Sequence, residues 1–161
     1  MDELKTTFKK AIQFELYANA YLKSNPKERS VFTLALEKIL SRPSFKKDLA
    51  EFRYDLSEQV DKLRGEYREK DKDGNFKEKI IGEGTVNATI MPVFKPGEED
   101  KFKRAVKDME SKKLESELSF KPHIVPVPPK LDIKYIEPLT GFVFEAMDEK
   151  ELEDFYLKQA E

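Results

Sequence analysis

The single histidine, His123, is the only side chain whose ordinary titration would serve acid–base chemistry near neutrality, and the chain has no cysteine. Those two facts remove His-based triads, multi-histidine metal sites, thiolate nucleophiles and Cys-bound zinc or iron–sulfur centres. His123 lies between Pro122 and Ile124 with no acidic neighbour in sequence, so a structural or exposed role is expected for it. Asp71-Lys72-Asp73-Gly74-Asn75 begins like an EF-hand loop, with oxygen ligands at positions one, three and five. Position six, which needs glycine, holds Phe76, and position twelve, which needs a bidentate acid, holds Gly82. The segment reads as a polar turn. Glu98-Glu99 and Asp148-Glu149 are pairs that chance supplies when 32 acids share 161 residues, and they define no glycosidase geometry. Gly82-Glu83-Gly84 is too short to cradle phosphate and precedes no lysine-led helix. Pro126-Val127-Pro128-Pro129-Lys130 matches a polyproline II ligand, and equally a stiff connector. No cofactor or metal is expected.

The elements that would hold these residues follow from periodicity. Leu4, Phe8, Ala11, Ile12, Leu16 and Ala20 predict a first helix from Leu4 to Leu22, ending at Ser24-Asn25-Pro26. Asn25, with Pro26 after it and Glu28 three residues on, predicts a capping box for a second helix running to about Leu40. Its Val31, Phe32, Leu34, Ala35, Leu36, Ile39 and Leu40 predict the most buried helix. After Arg42-Pro43-Ser44, the residues Phe45, Leu49, Phe52, Leu56, Val60, Leu63 and Tyr67 recur at spacings of 4, 3, 4, 4, 3 and 4. This is the narrow seam of a coiled-coil-like helix about 40 Å long, with Glu58/Lys62 and Glu66/Lys70 pairs outside it and Gly65 weakening its end. Those seven seam residues are the candidate partner-binding face, for a protein partner or a second copy.

Phe76–Ile81 and Thr85–Met91, separated by Gly82-Glu83-Gly84, predict a hairpin. Pro96-Gly97-Glu98-Glu99 opens a fourth helix to about Lys113, with Phe102, Ala105, Val106 and Met109 in one stripe. Leu118 and Phe120, then Ile124–Val127, then Leu131–Ile136 predict short strands interrupted by prolines, with a last strand at Phe142–Phe144. Asp148 and Glu151 cap a final helix presenting Leu152, Phe155 and Tyr156. The class is α+β: a helical hairpin and a long amphipathic helix, then a small antiparallel or mixed sheet with two further helices. One domain over 1–161 is expected, helical over 1–72 and mixed over 73–161.

The charged fraction is 39% but the net charge is only −2, so no global field favours a polyanion or an anionic membrane. Residues 1–47 carry 10 basic and 5 acidic residues, whereas residues 145–161 carry 7 acids and 2 lysines. The N-terminus lacks the n- and h-regions of a signal peptide and no stretch approaches 18 apolar residues, which predicts a cytoplasmic protein.

Lys27-Glu28-Arg29-Ser30-Val31-Phe32, the charged helix ending in Leu63-Arg64-Gly65-Glu66-Tyr67, and Lys70-Asp71-Lys72-Asp73-Gly74-Asn75 together resemble a family of small phage and prophage proteins. In that family a charged helix ends in a tyrosine and a Lys-Asp-x-x-Gly-Asn turn. The likeness covers residues 27–75 and implies a phage context alone, since the family has no established activity, cofactor or catalytic residues.

The leading expectation is therefore a non-enzymatic interaction protein, in virion assembly or host takeover, acting through its helical face. A second reading is a nucleic-acid accessory protein whose Lys5, Lys9, Lys10, Lys23, Lys27, Arg29, Arg42, Lys46 and Lys47 contact phosphates; it is disfavoured by the charge balance and by the absence of a groove-reading motif. A third is a carboxylate enzyme holding a hard metal such as magnesium.

Overall fold

The computed structural model describes residues 2–159, and its elements follow one another as helices first and mixed elements afterwards. The strand β1 (Leu4–Thr7) leads into α1 (Phe8–Ser24), followed by α2 (Val31–Leu40) and α3 (Pro43–Tyr67). Next come β2 (Glu78–Ile81), β3 (Thr89–Pro92), α4 (Glu99–Leu114) and β4 (Glu117–Phe120). A 3-10 turn (Ile133–Tyr135) runs into the short α5 (Ile136–Leu139), and α6 (Glu149–Gln159) follows. The α+β class is correct. The sheet content consists of two separate antiparallel ribbons, β1 with β4 and β2 with β3.

The chain divides into two compact units, Met1–Glu51 with Leu114–Glu161, and Phe52–Lys113. The helix α3 contributes residues to both units.

In the first unit, Ala11, Phe14 and Ala18 of α1, Phe32, Leu36 and Ile39 of α2, and Phe45 and Leu49 of α3 form one apolar core with Leu139 and Phe142–Phe144. Phe14 stacks on Phe142 with centroids 4.5 Å apart and meets Phe45 edge-on at 6.0 Å, while Phe32 stacks on Phe144 at 5.4 Å. Both geometries suit the aromatic quadrupole.

Three local expectations are corrected here. Leu4–Thr7 is not the first turn of a helix: it pairs with β4 in the register Leu4↔Phe120 to Thr7↔Glu117, and Thr7 caps α1 by accepting from the Lys10 amide at 3.2 Å. The cap of α2 is Ser30 rather than Asn25. Ser30 Oγ accepts from Thr33 N at 3.1 Å, and Ser30 N donates to Thr33 Oγ1 at 3.0 Å, a reciprocal box with threonine in the usual glutamate position. As expected, α2 is the most buried of the long helices, with Phe32, Thr33, Ala35, Leu36 and Ile39 buried, although Val31 and Leu34 face solvent. Finally, Leu131–Ile136 and Phe142–Phe144 are not strands. The first segment holds Leu131, Tyr135, Ile136 and Leu139 buried at helical rather than alternating spacing. The second is a turn whose three amides all point at the Leu139 carbonyl, at 3.2, 3.0 and 3.4 Å.

Glu28, freed from the expected box, accepts from the Tyr21 hydroxyl at 2.8 Å and from Ser30 Oγ at 3.0 Å. Burial first, and then the bond to Glu28, push the Tyr21 phenol up to about 12. The fold thus favours the protonated phenol, so its contribution is fully present below pH ~10, where the phenol of the unfolded chain titrates, and is lost as pH rises toward ~12. Tyr21→Phe should cost about 0.5–1.5 kcal/mol at neutral pH. In urea melts its deficit should shrink between pH 10 and 12; a deficit that stays constant across that range would show that the fold does not raise the phenol's pKa.

In the second unit, the C-terminal half of α3 and α4 run antiparallel. Asp55 pairs with Lys113 at one end. At the other, the rings of Tyr67 and Phe102 lie 6.2 Å apart and the Arg64 guanidinium stands 5.8 Å from the Phe102 centroid. The stripe Phe102, Ala105, Val106 and Met109 is half-buried. Beyond α3, three backbone segments close on one another: Glu69 N donates to Val93 O at 2.8 Å, Val93 N to Lys77 O at 3.2 Å, and Lys77 N to Glu69 O at 2.9 Å. This ring of bonds carries the β2–β3 ribbon.

Candidate interaction surface

The seven seam residues of α3 do not share one environment. Phe45, Leu49 and Phe52 are buried, at 4, 1 and 8% exposure, so no partner reaches them while the fold is intact. Leu56, Val60, Leu63 and Tyr67 are half-buried. Leu56, in the middle of the seam, retains contact with solvent. The helix runs past Gly65 to Tyr67, and the Gly65 Cα faces the Phe76 ring so closely that a Cβ there would lie 3.4 Å from it.

The polar candidates serve local structure. Asp71 Oδ1 accepts from the amides of Asp73 and Asn75 at 2.9 and 3.0 Å, and Gly74 takes a φ of +83°, the left-handed conformation a side chain resists. Glu98 reaches Lys101 at 3.2 Å. Asp148 caps α6 by accepting from Glu151 N at 2.8 Å, as expected, and Leu152 and Phe155 pack against the core while Tyr156 is exposed. His123 is half-buried, and its backbone amide donates to Phe142 O at 2.9 Å. The Pro126–Pro129 stretch has no regular structure; Val127 on it packs against the core, and Val125 just before it is buried there. Among the described residues no three His, Asp or Glu side chains stand close enough to share a metal ion. Of the lysines in the basic N-terminal third, Lys5 and Lys9 are drawn to Glu117 and Glu115, at 3.6 and 3.9 Å.

The residues that seam reasoning missed are on the β2–β3 ribbon. Ile80, Ile81 and Ile90 are 50–64% exposed, Met91 is 38% exposed and Val86, in the loop, is wholly exposed. The register is Glu78↔Pro92, Lys79↔Met91, Ile80↔Ile90 and Ile81↔Thr89. Ile80 and Ile90 therefore lie side by side on one face, and Ile81 and Met91 on the other, so the ribbon shows apolar side chains to solvent on both faces. The loop between the strands is longer than the expected glycine bend: Gly82 turns at φ +71° and its carbonyl accepts from Thr85 N and Oγ1 at 3.0 and 2.6 Å.

The edges of the ribbon are unlike. Ladder pairs alternate between bonded and unbonded, and the Val93–Lys77 bond sets the phase, so Lys79↔Met91 and Ile81↔Thr89 are the bonded pairs. The backbone groups of Glu78 and Ile80 then point outward from β2, and those of Ile90 and Pro92 from β3. Pro92 has no N–H to offer, which blunts the β3 edge. The β2 edge keeps both donors.

A compositional signal for this surface exists in the sequence. Residues 78–92 contain only Glu78, Lys79 and Glu83 as charges, in a chain that is 39% charged overall. No helix among the described residues is long and apolar enough to cross a membrane. No protein-family model, no curated protein and no solved structure matches the chain.

Proposed function

We propose that the protein is a non-enzymatic interaction protein that docks onto a protein partner through the β2–β3 ribbon, an extended partner segment adding to the β2 edge. The observation that carries this reading is the apolar surface on both faces of a ribbon with one unblunted edge. Exposed, charge-poor strands of this kind are a hazard that natural proteins normally blunt with charges or prolines, and retaining one is consistent with use as a template for strand addition. The half-buried part of the α3 seam lies in the same unit and is a secondary feature of this reading. The resemblance of residues 27–75 to phage proteins implies a phage context, within which such an interaction would act in virion assembly or host takeover.

A photo-crosslinking side chain at Val86 should capture one defined protein from cells producing the protein, whereas the same group at exposed Lys38 on α2 should not. The purified partner should then bind wild type and lose at least tenfold in affinity with Ile80→Lys/Ile90→Lys. Glu78→Pro, which removes an outward donor without touching a ladder bond, should weaken binding similarly. A homotypic crosslink would identify the partner as a second copy. Equal labelling from both positions, or a double variant that binds the captured protein like wild type, would overturn the reading.

A further inference from the structure

A groove of about 620 Å³ lies wholly within the first unit, between α1, the 3-10 turn with α5, and α6. Its volume is in the range of small-molecule sites, about 300–1,000 Å³. Tyr17, Ile133, Phe142, Met147, Leu152 and Tyr156 make its apolar lining. Ile133 and Tyr156 are 46 and 41% exposed although they belong to an apolar wall, so the groove leaves hydrophobic surface uncovered.

The charges at this groove differ from those around it. Lys5 and Lys9, on either side of the α1 cap, are engaged by acids of the β4 region, but Lys10 and Lys134, which line the groove, form no ion pair among the described residues; the Lys134 ammonium stands 5.1 Å from the centroid of the Tyr135 ring. The lining contains one acid, Glu137, three residues beyond Lys134, so its net charge is +1 from two lysines and one glutamate. Apolar walls beside lysines with no carboxylate partner suit an elongated apolar ligand ending in an anion.

We propose that this groove binds a single-chain amphiphile with a carboxylate head, the chain lying along the Ile133–Leu152 lining and the head near Lys10 and Lys134. This site is separate from the β2–β3 ribbon and does not depend on how the ribbon is used.

Isothermal titration with decanoate below its micelle concentration tests it. Saturable binding of one decanoate per chain is expected, about tenfold tighter than octanoate because two further methylenes are buried. Decyltrimethylammonium, which has the same chain and the opposite head, should bind at least tenfold more weakly. Lys10→Ala/Lys134→Ala should erase the preference for the anionic head. Ile133→Asp, at an exposed position that the fold tolerates, should abolish decanoate binding without changing the far-UV spectrum. Ile80→Lys/Ile90→Lys should leave it unchanged. The proposal is overturned by non-saturable uptake, by equal binding of the cationic amphiphile, or by loss of binding in the ribbon variant but not in the groove variants.

Discussion

Phe14→Ala is expected to lower the stability of the protein by about 3–5 kcal/mol, the usual cost of emptying a phenylalanine site that cannot collapse. Phe14 has no exposed surface and makes two ring contacts, with Phe142 from the C-terminal part of the chain and Phe45 from α3. Its ring therefore joins segments that are distant in sequence, and relaxation into the cavity would require several elements to move together. A domain is stable by roughly 5–15 kcal/mol, so the variant should be close to the limit of folding at physiological temperature. In thermal melts the midpoint should fall by roughly 6–20 °C, at about 2–4 °C per kcal/mol for a chain of this size. Phe14→Leu, which refills most of the space, should recover the larger part of the loss. A Phe14→Ala protein melting within a degree or two of wild type would mean that the stacked aromatic core is not the main support of the first unit.

The second large effect separates the two halves of the α3 seam. Leu49→Ala should cost about 2–5 kcal/mol, because Leu49 is 1% exposed and sits in the core with Phe45. Leu56→Ala, seven residues further along the same stripe, should cost only about 1–2 kcal/mol, since part of its side chain stays in water in the folded state. The two substitutions delete the same atoms from the same helix, so their difference measures burial alone. Chemical denaturation at two protein concentrations about a hundredfold apart adds a second readout. If the open part of the seam were covered by another copy of the chain, the wild-type midpoint would rise with concentration and Leu56→Ala would remove that dependence. Concentration-independent midpoints with Leu49→Ala the more damaging variant are expected. Equal costs at both positions would contradict the division of the seam between core and surface.

Much of the helical content was legible from periodicity, because a 3.6-residue repeat is a local property that the chain carries wherever it packs. The ends of α2 and α4, the long α3 and the Asp148 cap of α6 agree with the residues that signal them. The hairpin over β2 and β3 was also legible, from β-branched residues around glycines. Its charge depletion was equally present in the sequence. It was overlooked because exposure of a strand face is not encoded in the strand itself.

Tertiary structure decided what depended on distant partners. Leu4 and Phe8 keep a helical spacing, yet Leu4–Thr7 is extended because its backbone finds β4 more than 100 residues later. Asn25 and Ser30 are both competent caps. Ser30 is used, with the chain between α1 and α2 held by the Tyr21 hydroxyl on Glu28. The prolines and alternating apolar residues of 122–136 read as broken strands, but the His123 and Val125 amides bond to the Phe142 and Val143 carbonyls, those of Leu131 and Tyr135 close turns, and the buried residues are spaced to reach one core. The seam of α3 is continuous as a pattern and discontinuous as a surface. A periodic stripe records which residues can be buried together, and only the assembled elements determine which of them are covered: Phe45, Leu49 and Phe52 are, and Leu56 to Tyr67 are covered only in part.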